Sequence, residues 1–295
     1  MAHFAIMDTL IEHGINPDVI VGCSSGALVA VAYGAGTRDF LFDYFMTMDR
    51  KRLFRSVSWR GARGGLFHLH GGDGDFQKLS KGLKLQDLPI KIGVTAADIE
   101  NGDLHTLTTG DIILALKASM AVPGVFEPVI INNRILLEGG LVNVVPTVPV
   151  RQLGADIVIG VDVAKTKFFF QETLPLFRLI RRLRRILGIQ FVHNGIIKPI
   201  ASQFFDNGEK KPDSKKKMPN CLRIFFWAVD RSYDVEKEWH EENQACDIMI
   251  EPDVKETPYL EMKQGDFIYK QGRKAALEAL PRIKEIIAQY EVRGN

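Results

Sequence analysis

The stretch that most restricts what this chain can fold into is Val19 to Ala30, VIVGCSSGALVA. A β-branched run breaks at Gly22, two serines follow, and after Gly26 the chain resumes in small helix-forming residues. That order is expected of a buried strand turning sharply into a helix. Gly22-Cys23-Ser24-Ser25-Gly26 fits G-x-S-x-G in the strand–turn–helix setting that gives the pattern chemical meaning. On such a turn Ser24 is strained so that its hydroxyl stands exposed. Gly22 and Gly26 fall where strand and helix are expected to approach too closely for side chains. The Ser25 backbone N–H, at the helix start, can face a developing oxyanion with the helix dipole behind it. The competing reading is a glycine bend that only packs helix on strand. Val19 to Thr37 carries no formal charge and is nearly long enough to span a bilayer, but its glycines, serines and β-branched start fit a soluble strand–turn–helix better.

The rest of the chain repeats the alternation. Helices are expected over Met7 to His13, from Ala27 onward, Phe40 to Arg55, Phe76 to Leu83, Asp111 to Ser119, Val148 to Leu153 and Phe267 to Tyr290. Strands are expected at Asp18 to Val21 and in PIKIGVTAAD, DLHTLTTGD, ADIVIGVDV, LRIFFWAV and DIMIEP, with a hairpin turned at Asn132-Asn133. Several of these strands are continuously apolar, which argues for an α/β fold with a mostly parallel sheet. At 295 residues there is ample chain for a real core. A net charge of +2 offers no general attraction for nucleic acid. The three cysteines, Cys23, Cys221 and Cys246, have no zinc or disulfide spacing, so reduced thiols and no metal are expected. The opening MAHFAIMDTLIEHG has acid and histidine where a signal peptide would be apolar, which suggests a cytoplasmic protein.

A serine nucleophile needs a base. A Ser–acid–His order would call on His193 or His240, yet too little chain precedes Ser24 for the strands such a fold sets before its elbow. His240, in KEWHEENQ, fits a solvated helical face, and His68 and His70, in HLH, fit a loop. The other carboxylate in a suggestive place is Glu138, in LLEGGLVNVVP. It ends a strand and is followed by Gly139 and Gly140, which places it on a tight turn at the sheet edge.

These segments together resemble the patatin-like phospholipase family. The similarity runs over GINPDVIVGCSSGALVAVAYGAG, VTAADIENGDLHTL, ALKASMAVPGVFEPV, LLEGGLVNVVPTVPVRQLGAD and CDIMIEPDV. The resemblance implies a single domain over 1–295 built as a three-layer α/β/α sandwich. It also implies hydrolysis of acyl-ester lipids, phospholipids among them, by a Ser–Asp dyad with no histidine and no cofactor. Carried over, Ser24 is the nucleophile, and Glu138 falls where the family's D-G-G has its aspartate. The extra methylene moves the carboxylate by about 1 Å, a displacement that can cost about 100-fold in rate. The family's first strand and its glycine-rich G-G-G-x-R-G loop are not found ahead of MAHFAIMDTLIEHG. Losing an oxyanion donor of that kind costs roughly 3 kcal/mol. RGARGG, residues 60 to 65, echoes those letters but lies after the elbow helix. The alternatives are a patatin fold that binds lipid or a protein without turnover, and a triad esterase using His240.

Between about 166 and 219 the composition changes to a basic insertion ending in a lysine-rich loop. In LPLFRLIRRLRRILGI, Arg178, Arg181, Arg182 and Arg185 share one side of a helix and the leucines and isoleucines the other. Such a face suits an anionic membrane surface, and it equally suits a surface helix packed on a core.

Overall fold

The chain opens with α1 (Ala2–Glu12), which starts five residues earlier than the periodicity suggests because Phe4, Ala5 and Ile6 are buried along with Thr9 and Leu10. Gly14, at φ +79°, ends it, and the Ile15 N–H returns to the Leu10 carbonyl at 2.9 Å. This architecture comes from a computed structural model that describes residues 1–48, 57–59, 65–69, 73–163, 224, 245–254 and 264–294. Then follow β1 (Val19–Gly22), α2 (Ser25–Gly34), α3 (Arg38–Met46), β2 (Val57–Trp59), β3 (Gly65–Leu69) and α4 (Asp73–Ser80). Next come β4 (Lys91–Asp98), β5 (Leu104–Leu107), α5 (Ile112–Ser119), β6 (Gly124–Phe126), β7 (Val129–Ile131) and β8 (Arg134–Glu138). The last are α6 (Thr147–Gln152), β9 (Ile159–Val161), β10 (Ile248–Ile250) and α7 (Gly265–Gly294). His68 falls within β3 rather than in a loop.

The α/β class holds, but the sheet is mixed rather than mostly parallel. β1 runs parallel to β4, whereas β5 and β8 are antiparallel to β4 and β7 is antiparallel to β8. The reason is local. β7 and β8 form the hairpin, and Asn132 and Asn133 both adopt left-handed φ, at 49° and 61°, as a two-residue hairpin turn demands. β9 and β10 form a separate parallel pair, and β3 is paired with both β2 and β6.

Strand β4 organises the molecule. Its burial is nearly continuous, and its side chains alternate between layers. Ile92 and Val94 join the cluster under α2 and α5, while Gly93 faces Val21 and Leu153 from the α6 side. Helices thus cover both faces. A second core joins α1 to α7 through Ile6, Leu10, Ala276, Leu280 and Ile283. Gly272 is required there, because a Cβ would meet the Ala2 carbonyl oxygen at 2.7 Å.

Candidate active site

Register, more than any single residue, assembles the site. Gly22 pairs with Val94 and Glu138 with Ala96, while β5 occupies the opposite edge of β4 at both positions. Hence β1 and β8 lie on the same edge of β4, run towards each other, and end on either side of Thr95. Two strand termini that are distant in sequence are brought head to head.

At the end of β1 the elbow forms as its residues require. Ser24 sits at φ 51°, ψ −117° as the N-cap of α2, a conformation that costs a non-glycine residue about 1–3 kcal/mol. Gly22 is obligatory, since a Cβ there would lie 2.4 Å from the Gly26 carbonyl oxygen. Gly26 is not crowded in the way its place in the motif suggests. Among the described residues a Cβ on it would meet only His3 Nε2, at 3.8 Å, because its free side turns towards α1 and not back onto β1. The Ser25 N–H, first in α2, has no hydrogen-bond partner among the described residues.

At the end of β8, Glu138 is half-buried, with its Oε2 fully buried, and the chain passes into a short 3-10 turn, Gly139–Leu141. Gly139 leaves no room for a Cβ, which would sit 2.7 Å from the Thr95 carbonyl oxygen, whereas Gly140 has ordinary space. Burial pushes the Glu138 carboxyl up to about 7, and the Ser24 side chain is the hydrogen-bonding group that draws it partly back. Among the described residues, the buried Glu138 Oε2 accepts no hydrogen bond, and Asn143 Nδ2 is likewise unsatisfied. The carboxyl is therefore held with little to stabilise its charge, and this disposes it to take a proton.

Three neighbours define the setting. Cys23 is driven up to about 12, first by burial and then by the Glu138 charge, so its thiol stays protonated. Thr95 Oγ1 donates to the Gly22 carbonyl at 3.3 Å, and the Ser24 N–H donates to Ser119 Oγ at 2.8 Å. Sequence reasoning passed over both hydroxyl residues. Each is fully buried within a largely apolar segment, and a buried hydroxyl in such a run is the signal that points to them. His3 is pushed down to about 3 by burial and by the neighbouring N-terminus, so its imidazole is neutral.

A cavity of about 640 Å³ lies behind the turn, lined by Gly22, Cys23 and Gly26 but by neither Ser24 nor Glu138. Among the described residues no group of three or more His, Cys, Asp or Glu is placed to hold a metal, and no helix is long and apolar enough to cross a membrane. His193, His240 and the basic face of Arg178, Arg181, Arg182 and Arg185 lie outside the described residues. So do His70 and the body of the 166–219 insertion.

A serine at positive φ between strand and helix, beside a buried carboxyl at the end of a hairpin, defines an α/β protein of the elbow type. The particular family follows from comparison. A model of the patatin-like phospholipases matches residues 1–151, and the chain belongs to that family. It is similar to an uncharacterised NTE family protein of Mycobacterium bovis, Mb1092c, at 26% identity over 161 residues, covering 55% of this chain and 45% of that one. A second such protein, MT2641 of Mycobacterium tuberculosis, is 26% identical over 302 residues, or 97% of this chain and 45% of its own. The lysophospholipase NTE1 of Candida albicans is 26% identical over 60% of this chain and 13% of its own length. The chain thus spans less than half the length of each of these relatives.

Proposed function

We propose that this chain is a serine hydrolase of acyl-ester lipids, phospholipid or lysophospholipid, with Ser24 as nucleophile and Glu138 as its base. One observation carries the reading: a serine strained on a strand-to-helix turn has its side chain against a buried carboxyl raised to about 7. A base with a pKa near the working pH is ionised often enough to act and basic enough to accept a proton.

The steps balance without a cofactor. Ionised Glu138 takes the hydroxyl proton as Ser24 Oγ bonds to the acyl carbon, and the carbonyl electron pair moves onto its oxygen. The Ser25 N–H donates to that oxyanion, with the positive end of the α2 dipole behind it. Collapse expels the alcohol, which takes the proton from Glu138 and leaves acyl-Ser24. Water, deprotonated by Glu138, then attacks the same carbon. A second collapse frees the fatty acid and returns the proton to Ser24.

The test is fluorophosphonate labelling read by peptide mass spectrometry, alongside fatty-acid release from lysophosphatidylcholine. Wild type is expected to be modified at Ser24 and to release fatty acid, and Ser24→Ala to do neither. A wild-type protein that stays unmodified overturns the hydrolase reading and leaves a patatin fold that binds without turnover.

A further inference from the structure

Two facts about the strained turn have a common source. The peptide between Cys23 and Ser24 is held at both of its polar atoms: the Cys23 carbonyl accepts from the Gly26 N–H at 2.8 Å, and the Ser24 N–H donates to Ser119 Oγ at 2.8 Å. The first bond lies within the turn itself. The second comes from the far end of α5, 95 residues away. Two residues beyond Ser119, the Ala121 carbonyl accepts from the Glu138 N–H at 3.1 Å. A three-residue segment therefore grips Ser24 by its amide and Glu138 by its amide.

That segment is itself firmly placed. Asp111 caps α5 by accepting from the Leu114 N–H at 3.0 Å, and Ile112, Ala115, Leu116, Ala118 and Ser119 are buried. Ser119 Oγ has its own proton left after accepting from Ser24.

We propose that Ser119 is a positioning residue for the Ser24–Glu138 pair, setting the separation of hydroxyl and carboxyl through the segment 119–121. The inference rests on the hydrolase reading above. Without the Ser119 acceptor the 23–24 peptide is held only at its carbonyl, by the Gly26 N–H, so φ of Ser24 relaxes and Oγ shifts off the line to Glu138. An error of about 1 Å in such a geometry slows reaction on the order of 100-fold.

Fluorophosphonate labelling rates and ester kcat and KM, followed across pH, supply the test. Ser119→Ala is expected to label Ser24 and turn over about 10- to 100-fold more slowly, with KM unchanged and the pH midpoint moved upward, because Glu138 loses the Ser24 side chain that draws its carboxyl down. Ser119→Thr, which retains the acceptor, recovers most of the rate. If wild type labels and Ser119→Ala labels equally fast, Ser119 is not a positioning residue. If both variants fold and are equally slow, the acceptor is not the cause. Hydrogen exchange of the wild-type Ser24 amide decides the case where neither variant folds: protection supports the proposal, and exchange at the free-peptide rate overturns it. A wild type that never labels, by contrast, strikes the hydrolase reading itself.

Discussion

Two carboxylates, one on helix α1 and one at the end of strand β8, have been treated in opposite ways. Asp8, on α1, accepts from Tyr33, from Tyr269 at 2.8 Å, and from Arg38 through both Nε, at 3.1 Å, and a terminal nitrogen. Burial alone would push its carboxyl up, but those hydrogen bonds outweigh it and hold it below the usual aspartate range. Arg38 in turn stacks on Phe42, 4.3 Å from the ring centroid. Glu138 has the Ser24 side chain and little else, and it is raised to about 7. The lesson lies in the number of donors. A satisfied carboxylate fastens α1 to α2, α3 and α7, whereas a deprived one is left able to exchange a proton.

The sharpest way to break this contrast is Glu138→Gln. It is expected to lower ester turnover on the order of 10³-fold, the scale of a lost general base. In the wild type, kcat/KM rises with unit slope up to about pH 7 and then levels, because only the ionised carboxyl takes a proton. A flat profile through that region removes Glu138 from the reaction.

The same substitution carries a stability signature of opposite sign. A carboxyl whose folded pKa is raised holds its proton more tightly in the native state. Between about 4.5 and 7 the native state binds more protons than the unfolded chain, and stability falls as pH rises. Above pH 7 the deficit is complete, on the order of 3 kcal/mol. Urea titrations are expected to show Glu138→Gln more stable than wild type at pH 8 and nearly level with it at pH 4.5. Asp8 behaves inversely: its folded pKa is lowered, so its stabilisation is present above the unfolded value and is lost in acid. Asp8→Asn, which leaves Arg38 without its counter-charge, is expected to cost about 2 kcal/mol at neutral pH while kcat at temperatures below unfolding stays as it was. A large fall in kcat would mean that Asp8 also serves the site.

How far this could be read in advance depends on the range of the interaction. The elbow was legible because strand, glycine, serine and helix former are contiguous, and Glu138 because a strand end and two glycines flank it. The Asn132-Asn133 hairpin was legible for the same reason, and that hairpin is also what makes the sheet mixed. The convergence of β1 and β8 on Thr95 was not legible, since register between strands is set by packing and leaves no local trace. Ser119 and Asp8 were hidden likewise: their partners lie 95 and up to 261 residues away. The resemblance suggested the pairing of Ser24 with Glu138, and the strand register shows how the ends of β1 and β8 come to lie beside one another.

The smallest expected effect tests the two glycines that the motif treats as equals. Gly22→Ala forces a methyl to within 2.4 Å of the Gly26 carbonyl oxygen, a backbone atom that cannot move without unwinding the first turn of α2. Overpacking of that kind costs about 1–3 kcal/mol and displaces Ser24, so labelling falls with stability. Gly26→Ala adds a methyl with only His3 in ordinary contact, in a helix where alanine is favoured over glycine by about 1 kcal/mol. It is expected to be neutral or slightly stabilising and to label at the wild-type rate. Equal damage from both substitutions would mean that the elbow closes more tightly around Gly26 than the 3.8 Å approach of His3 allows.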